Sequence, residues 1–212
     1  QELYQGLKKN DVPVELVFSE GPNDLFVVRV AGNGLGGDAL GSLKYAVDHL
    51  GDSLKLVVVL GHSGCGAVTA AVDIFLDPAE YLSIASKYTM RGLLDQLLVV
   101  VHSAARRMAA IWGPDVTQRA GYRDALVEAS VVSNAALAAH TVQQELSRDA
   151  RGMRAAYGVY LLGTHDLWAP RAGSEDVSGL ADPPCDLDAF HGFGDAVIRS
   201  GRIAALLGRP RG

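Results

Sequence analysis

The sequence predicts an α/β fold in which a mostly parallel central sheet is flanked by helices, within a single domain that spans residues 1–212. Segments with strand character alternate with segments with helical character, and this alternation is typical of parallel sheets covered by helices. A continuous apolar run at 56–60 has the length of a strand buried in such a sheet. With 212 residues, 49% of them hydrophobic, the chain is long enough to bury a core.

The first thirty residues predict short elements. Residues 1–10 are polar and are expected to form an N-terminal arm. A short helix is predicted at 12–18, with Asp11 as its N-cap. Gly-Pro-Asn-Asp at 21–24 predicts a turn, and the β-branched residues at 25–30 predict a strand.

The middle of the chain is predicted to be mainly helical. Apolar residues at three- and four-residue spacing predict a helix at 38–50, and Gly51 is suited to end it. Further helices are predicted from the turn after the central strand to residue 74, at 90–111 and at 122–146. Gly-Pro at 113–114 is expected to break the chain between the last two helices.

The C-terminal part predicts one more strand and one more helix. Residues 157–163 are apolar and aromatic and predict the last strand. Residues 170–212 form a C-terminal extension, which begins as a loop rich in Gly, Pro, Asp and Ser and ends in a helix predicted at 196–207.

The turn after the central strand carries the residues with the clearest chemical potential. In an open parallel sheet, ligands collect where strands end and helices begin. His62 and Cys65 stand three apart in this turn, so an imidazole nitrogen and a thiolate can converge on one zinc ion. Zinc needs three or four ligands, and this pair supplies two. The alternative interpretation is a buried, apolar cysteine beside a hydrogen-bonded histidine.

The same turn approaches two other enzyme motifs. Residues 61–65 come close to a nucleophile elbow, in which Ser63 would be the nucleophile and Asp166 or His165 its later partner. Cys65 stands where that motif has its second glycine, and its side chain would crowd the turn. A phosphate-binding loop is excluded, because Ala-Val follows where Lys and Ser or Thr are required.

Composition excludes several classes of protein. A net charge of −5 without a dense block of Lys and Arg argues against a nucleic-acid partner. The sequence has neither 18 consecutive uncharged apolar residues nor a signal-peptide pattern at its start, so we expect no membrane partner and a cytoplasmic location. Cys65 and Cys185 are therefore expected to be free thiols rather than a disulfide.

Three segments, in order and spacing, resemble the β-class carbonic anhydrases. They are Gly-Pro-Asn-Asp-Leu-Phe-Val-Val-Arg-Val-Ala-Gly-Asn at 21–33, Gly-Ser-Leu-Lys-Tyr-Ala-Val-Asp-His-Leu-Gly at 41–51 and Leu-Val-Val-Val-Leu-Gly-His-Ser-Gly-Cys-Gly-Ala-Val at 56–68. The resemblance extends over residues 12–165 and implies a β-carbonic-anhydrase-like fold. It further implies a zinc enzyme that interconverts carbon dioxide and bicarbonate by a zinc-bound hydroxide, with His62 and Cys65 as two of its ligands.

The sequence departs from the family before the 12–18 helix. The family has a Cys-x-Asp-Ser-Arg motif there, which supplies the first zinc-binding cysteine and an Asp–Arg pair. Aligned without gaps, Leu7, Lys9 and Asp11 stand at the cysteine, the aspartate and the arginine, so no catalytic residue is identifiable. The strand that leads into this motif is not found either, and we expect that a segment between about residues 8 and 11 is absent from this sequence.

Alternative functions remain open at the sequence level. One is a catalytically inactive relative with an assembly or regulatory role, in which Cys185 and His191 could serve as replacement ligands. Another is a related hydrolase of carbonyl sulfide or carbon disulfide. The resemblance also implies a homodimer or homotetramer, and the N-terminal arm and the apolar face of the 122–146 helix are the candidate contacts.

Overall fold

The protein's structure is a computed structural model that describes residues 12–21, 23–50, 53–79, 81, 88–146, 152–174 and 177–208. Its helices are α1 (Val14–Phe18), α2 (Gly37–Leu50), α3 (Gly66–Leu76), α4 (Tyr88–Trp112), α5 (Tyr122–Leu146), α6 (Leu187–Arg199) and α7 (Gly201–Leu207). Its strands are β1 (Leu56–His62), β2 (Arg154–Tyr160) and β3 (Leu167–Trp168), and single 3-10 turns lie at Ala31–Asn33 and Pro114–Gln118.

The described strands form a small sheet in the order β1-β2-β3. β1 and β2 are parallel, in a register that places Leu56 opposite Arg154 and His62 opposite Tyr160. The short β3 is antiparallel to β2. The predicted α/β fold, a mostly parallel sheet flanked by helices, is confirmed.

Helix α5 is the centre of the core. It packs on β1 and β2 and also contacts α3, α4 and α7. At Gly61 a Cβ atom would lie 3.2 Å from Val131 Cγ1, so a glycine lets β1 approach α5 closely. By length and composition α5 is also able to span a membrane, but 72% of its most apolar window is buried, as in the core helix of a soluble protein.

Most of the helices predicted from periodicity are confirmed within about two residues. The prediction at 122–146 matches α5, and those at 38–50 and 90–111 match α2 and α4. The break between α4 and α5 falls at Gly113, whose φ of +86° is in the left-handed region. The predicted arm at 1–10 and the two predicted capping residues, Asp11 and Gly51, lie outside the described residues.

The predicted strand at 25–30 is wrong. The structure has no strand at these positions, although Val30 has extended backbone angles. Phe26 is 48% exposed, and Val27 and Val30 are each 39% exposed. β-branched residues give a segment strand propensity, but a strand also needs a neighbour that accepts and donates its backbone hydrogen bonds.

Two C-terminal predictions had wrong boundaries. The strand predicted at 157–163 is β2, which begins three residues earlier and ends at Tyr160, because its first residues, Arg-Ala-Ala, include no β-branched or aromatic residue and the chain then turns toward β3. It is not the last strand, since β3 follows at Leu167–Trp168. The helix predicted at 196–207 is two helices. Ser200 separates them, since its hydroxyl accepts from the N–H of Ile203 and caps α7.

Candidate metal centre

The turn between β1 and α3 is fastened to the end of β2. The N–H of Ser63 donates to the carbonyl of Tyr160 at 2.9 Å, and Ser63 Oγ accepts from the N–H of Leu162 at 3.0 Å. Gly64 follows with a φ of +64°, a backbone conformation that glycine adopts without strain. The turn therefore has a defined shape before α3 begins.

His62 and Cys65 lie on either side of this turn and contact each other. Each side chain shifts the pKa of the other, and Cys65 is only 8% exposed. His62 Nδ1 lies 3.1 Å from the carbonyl oxygen of Ser63. Because a carbonyl oxygen only accepts, Nδ1 carries the proton and Nε2 keeps its lone pair. Zinc-binding histidines have this arrangement, in which a backbone carbonyl holds the ring by its other nitrogen.

The surroundings of Cys65 favour its thiolate. Burial alone would raise the pKa of the Cys65 thiol, but a hydrogen bond with His62 and the backbone N–H groups of Val68 and Ala67 lower it, and the net shift is downward. The pKa of His62 is raised, chiefly by the hydrogen bond with Cys65 and against the opposing effect of burial. The downward shift favours the deprotonated form of the Cys65 thiol, which is the form that binds a metal ion.

The pair fits two positions of a zinc site, but the described part of the chain supplies no third ligand. Among the described residues, no group of three or more His, Cys, Asp and Glu side chains could hold a metal ion. Cys185, proposed as a replacement ligand, is exposed and directs its Sγ to Asp186 at 3.4 Å. His191, its proposed companion, lies with Nδ1 3.0 Å from Arg107 Nη2. The predicted replacement set is therefore not formed.

The nucleophile-elbow alternative has no support in the geometry. Ser63 Oγ is bonded to the backbone of Leu162, as described above, rather than to either predicted partner. The ring of His165 stacks on Tyr160 at 6.0 Å between centroids, and the carbonyl of Asp166 accepts from Leu161. Ser63 thus shapes the turn, and neither a base nor an acid is placed on its hydroxyl.

Glu128 and Arg202 belong to this site, and the sequence did not reveal them. Glu128 lies on α5, is 6% exposed, and accepts from the N–H of Gly64 through Oε1 at 2.9 Å. Arg202 Nη2 donates to Glu128 Oε2 at 2.6 Å. Glu128 is the one acid between positions 125 and 142 of α5, among mostly apolar residues, and this was a visible signal. Its partner lies 74 positions away and could not be inferred.

The Ala31–Asn33 turn packs beside the same end of β1. Asn33 Nδ2 donates to the carbonyl of Leu60 at 3.3 Å, and Asn134 Nδ2, on α5, donates to the carbonyl of Gly32 at 2.6 Å. Two asparagine amides therefore fix this turn to β1 and α5.

Comparison with known proteins identifies the family. A family model described as carbonic anhydrase matches residues 11–161, which is more than half of the chain. The chain therefore belongs to the carbonic anhydrase family, and the solved structures below give its fold as that of the β-class.

The curated relatives match over a limited stretch. "Carbonic anhydrase 2" of Mycobacterium tuberculosis is 46% identical over 72 residues, which is 34% of this chain and 34% of the relative. "Carbonic anhydrase" of Mycolicibacterium smegmatis is 44% identical over 75 residues, 35% of each. The matched part thus spans about a third of the length of these curated relatives.

Solved structures show the fold. The β-carbonic anhydrase CafA of Aspergillus fumigatus is 19% identical with a TM-score of 0.51, and the match covers 84% of this chain and 74% of that one. The β-carbonic anhydrase CcaA is 18% identical with a TM-score of 0.54, over 84% of this chain and 89% of that one. A further match, with a TM-score of 0.50, is to the tetrameric β-carbonic anhydrases of Sordaria macrospora, over 73% of this chain and 72% of theirs.

Proposed function

We propose that this chain is a zinc-dependent carbonate dehydratase, which interconverts carbon dioxide and bicarbonate. The observation that carries the proposal is the convergence of His62 and Cys65 in the turn after β1, with His62 Nδ1 held by a backbone carbonyl. Membership of the carbonic anhydrase family supports the choice of reaction.

His62 would bind zinc through Nε2 and Cys65 through its thiolate sulfur. A zinc ion held in this way supplies Lewis acidity, which activates water for attack on carbon dioxide near neutral pH. The chain's own contribution is to favour the deprotonated form of Sγ, through His62 and the N–H groups at the start of α3, and to keep the sulfur largely out of solvent. Residues 1–11 contain neither His nor Cys, so the remaining ligands would come from the segment between about residues 8 and 11 that we expect to be absent from this sequence.

A second candidate function is a relative that does not catalyse the reaction. The specific observation in its favour is that His62 and Cys65 have no third ligand among the described residues. Two ligands alone leave a zinc ion weakly held, since structural and catalytic sites use at least three protein ligands.

We also propose a homodimer or homotetramer in the cytoplasm. The tetramers of Sordaria macrospora support the assembly. The apolar face of α5 is not the contact, because that face is buried in the chain's own core. Exposed apolar side chains nearer the N-terminus are better candidates, and two of them, Phe26 and Tyr45, line one open groove.

The test is stopped-flow hydration of carbon dioxide by the purified, zinc-supplemented protein, with Cys65→Ser as the ligand variant and Cys185→Ser as the matched control. We expect activity that survives Cys185→Ser and is lost in Cys65→Ser. Hydration at the uncatalysed rate would contradict the proposal and favour the non-catalytic candidate. Turnover of carbonyl sulfide or carbon disulfide alone would replace the substrate while keeping the zinc site.

A further inference from the structure

A buried carboxylate lies behind the metal turn. Glu128 is on α5 with an 8% exposed side chain, and both of its oxygens are engaged. Oε1 accepts from Gly64 N–H at 2.9 Å, and Oε2 accepts from Arg202 Nη2 at 2.6 Å and Nε at 3.0 Å. An ionised carboxylate is costly to bury unless it is paired and hydrogen-bonded, and here both conditions are met.

The hydrogen bond to Gly64 acts on the turn between the two proposed ligands. Gly64 has a φ of +64° and directs its N–H into the protein, so Glu128 fixes the peptide that joins it to Ser63. That peptide sets where the chain leaves His62 and enters Cys65. Glu128 is not a third ligand, because it forms no metal-binding group with His62 and Cys65 in the described part of the chain.

Arg202 brings the C-terminal extension to this point. It lies in the first turn of α7, next to the capping residue Ser200, and donates two N–H groups to one oxygen of Glu128. Its guanidinium also lies 5.6 Å from the centroid of the Trp168 ring. A planar cation held between a carboxylate and an aromatic face has little freedom to turn, so it holds the carboxylate in place.

We propose that Glu128 is a positioning residue for the metal turn, and that Arg202 of the C-terminal extension holds Glu128 in the orientation that binds Gly64. The role rests on the proposed function, since its purpose is to set the separation of His62 and Cys65 for one metal ion. Partners behind the ligands of a metal site contribute in this way, and their removal typically weakens metal affinity about 10- to 100-fold.

The test compares three variants with a matched control. Glu128→Ala removes the acceptor of the Gly64 N–H, whereas Glu128→Gln keeps an acceptor oxygen of the same reach and removes the charge. Arg202→Gln removes the guanidinium. The control is Arg154→Gln, which breaks an exposed ion pair with Asp182 at the opposite end of β2, about 20 Å from the turn at 3.3 Å per residue.

Two measurements are made on each variant. The first is hydrogen exchange of the Gly64 amide in metal-free protein, and the second is affinity for Zn²⁺ by competition with a chelator. In Glu128→Ala we expect exchange at least about tenfold faster, because hydrogen bonds to charged groups are among the strong ones, and affinity at least about tenfold weaker. Glu128→Gln should fall between the wild type and Glu128→Ala in both, because its amide keeps one acceptor oxygen for the Gly64 N–H but has only an NH2 group, a donor, in place of the oxygen that accepts from Arg202.

Arg202→Gln should speed exchange at Gly64, whereas Arg154→Gln should leave it unchanged. The role is overturned if Glu128→Ala alters neither quantity, if Glu128→Gln is as damaging as Glu128→Ala, or if Arg154→Gln matches Arg202→Gln. If Glu128→Ala does not fold, Glu128→Gln and Arg202→Gln decide the question, with Arg154→Gln as their control. A wild-type chain that binds no zinc would contradict the proposed function alone, since exchange at Gly64 is measured without metal.

Discussion

The two parallel strands β1 and β2 are hydrogen-bonded along their length, yet they differ sharply in burial. Every residue of β2 after Arg154 is buried, whereas in β1 only Gly61 is buried and Leu56 is 46% exposed. β2 has a strand on each side and α5 across it, but β1 has a single neighbouring strand among the described residues.

The difference in burial indicates that β2 contributes mainly to stability and that β1 positions the candidate metal ligands. β2 ends in a turn to β3 and carries no candidate ligand, so its contribution is packing. β1 ends at His62, next to the turn that brings Cys65 into contact with it. We therefore expect substitutions at the end of β1 to alter metal binding with little change in stability, and substitutions in β2 to do the reverse.

The exposed side of β1 also bears on the proposed ligands. Among the described residues β1 lies at the edge of the sheet, and proteins normally cover or charge an apolar edge strand because it invites pairing with another strand. The apolar run at 56–60 has the length expected of a buried strand, but Leu56 is exposed and the other four residues are only half-buried. β1 therefore presents apolar residues that the described strands do not cover, next to the turn that carries His62 and Cys65.

The largest expected effect is on metal affinity. We expect His62→Ala or Cys65→Ser to weaken zinc affinity by more than about 100-fold, because each removes a direct ligand. Loss of a residue that only positions the ligands weakens metal affinity by about 10- to 100-fold. The free energy of unfolding should change by less than about 1.5 kcal/mol in Cys65→Ser, because serine is nearly isosteric with cysteine. Chelator competition and urea titration measure the two quantities. If Cys65→Ser prevented folding but left zinc affinity unchanged, the claim that the end of β1 serves metal binding rather than stability would be contradicted.

A matched pair of valine substitutions tests packing directly. Val159→Ala in β2 removes two methyl groups from a side chain with 0% exposure and should lower the free energy of unfolding by about 2 kcal/mol. Val58→Ala in β1 removes the same groups from a half-buried side chain and should cost less than about 1 kcal/mol. Equal losses in urea titrations would show that β1 is as well packed as β2.

Tyr157 predicts how stability depends on pH at the alkaline end. Burial raises the pKa of the Tyr157 hydroxyl, which donates to the carbonyl of Pro170, well above its ordinary value. Above the unfolded pKa of about 10 the unfolded chain loses this proton and the folded chain keeps it, so the free energy of unfolding falls by about 1.4 kcal/mol per pH unit. Tyr157→Phe should remove the contribution of this residue to the decrease of the free energy of unfolding with pH. An unchanged slope in urea titrations between pH 10 and pH 11 would contradict the burial of Tyr157.

The smallest expected effect is at the first residue of β2. Arg154 and Asp182 form an ion pair whose two side chains are each 68% exposed. Exposed pairs contribute about 0–1 kcal/mol, so Arg154→Gln should shift the free energy of unfolding by no more than about 0.5 kcal/mol. A larger loss in urea titrations would mean that β2 depends on its exposed end as well as on its buried face.

Local patterns predicted the fold better than the site. The 122–146 helix has enough good helix formers to be placed to the residue, and the run at 56–60 with its glycine-rich turn placed β1 and both candidate ligands. The strand at 25–30 was wrong because propensity does not provide a partner strand. Glu128 and Arg202 were missed because their pairing depends on tertiary structure. A charged residue in the apolar core helix was the available clue.

Zinc content of the purified wild-type protein, determined by atomic emission after dialysis, tests the central claim most directly. The account predicts about one zinc per chain, since a third or fourth ligand must complete the site that His62 and Cys65 begin. Zinc should fall to background in Cys65→Ser and remain in Cys185→Ser. A wild-type protein with no zinc, or zinc that persists in Cys65→Ser, would contradict a metal centre in the turn after β1.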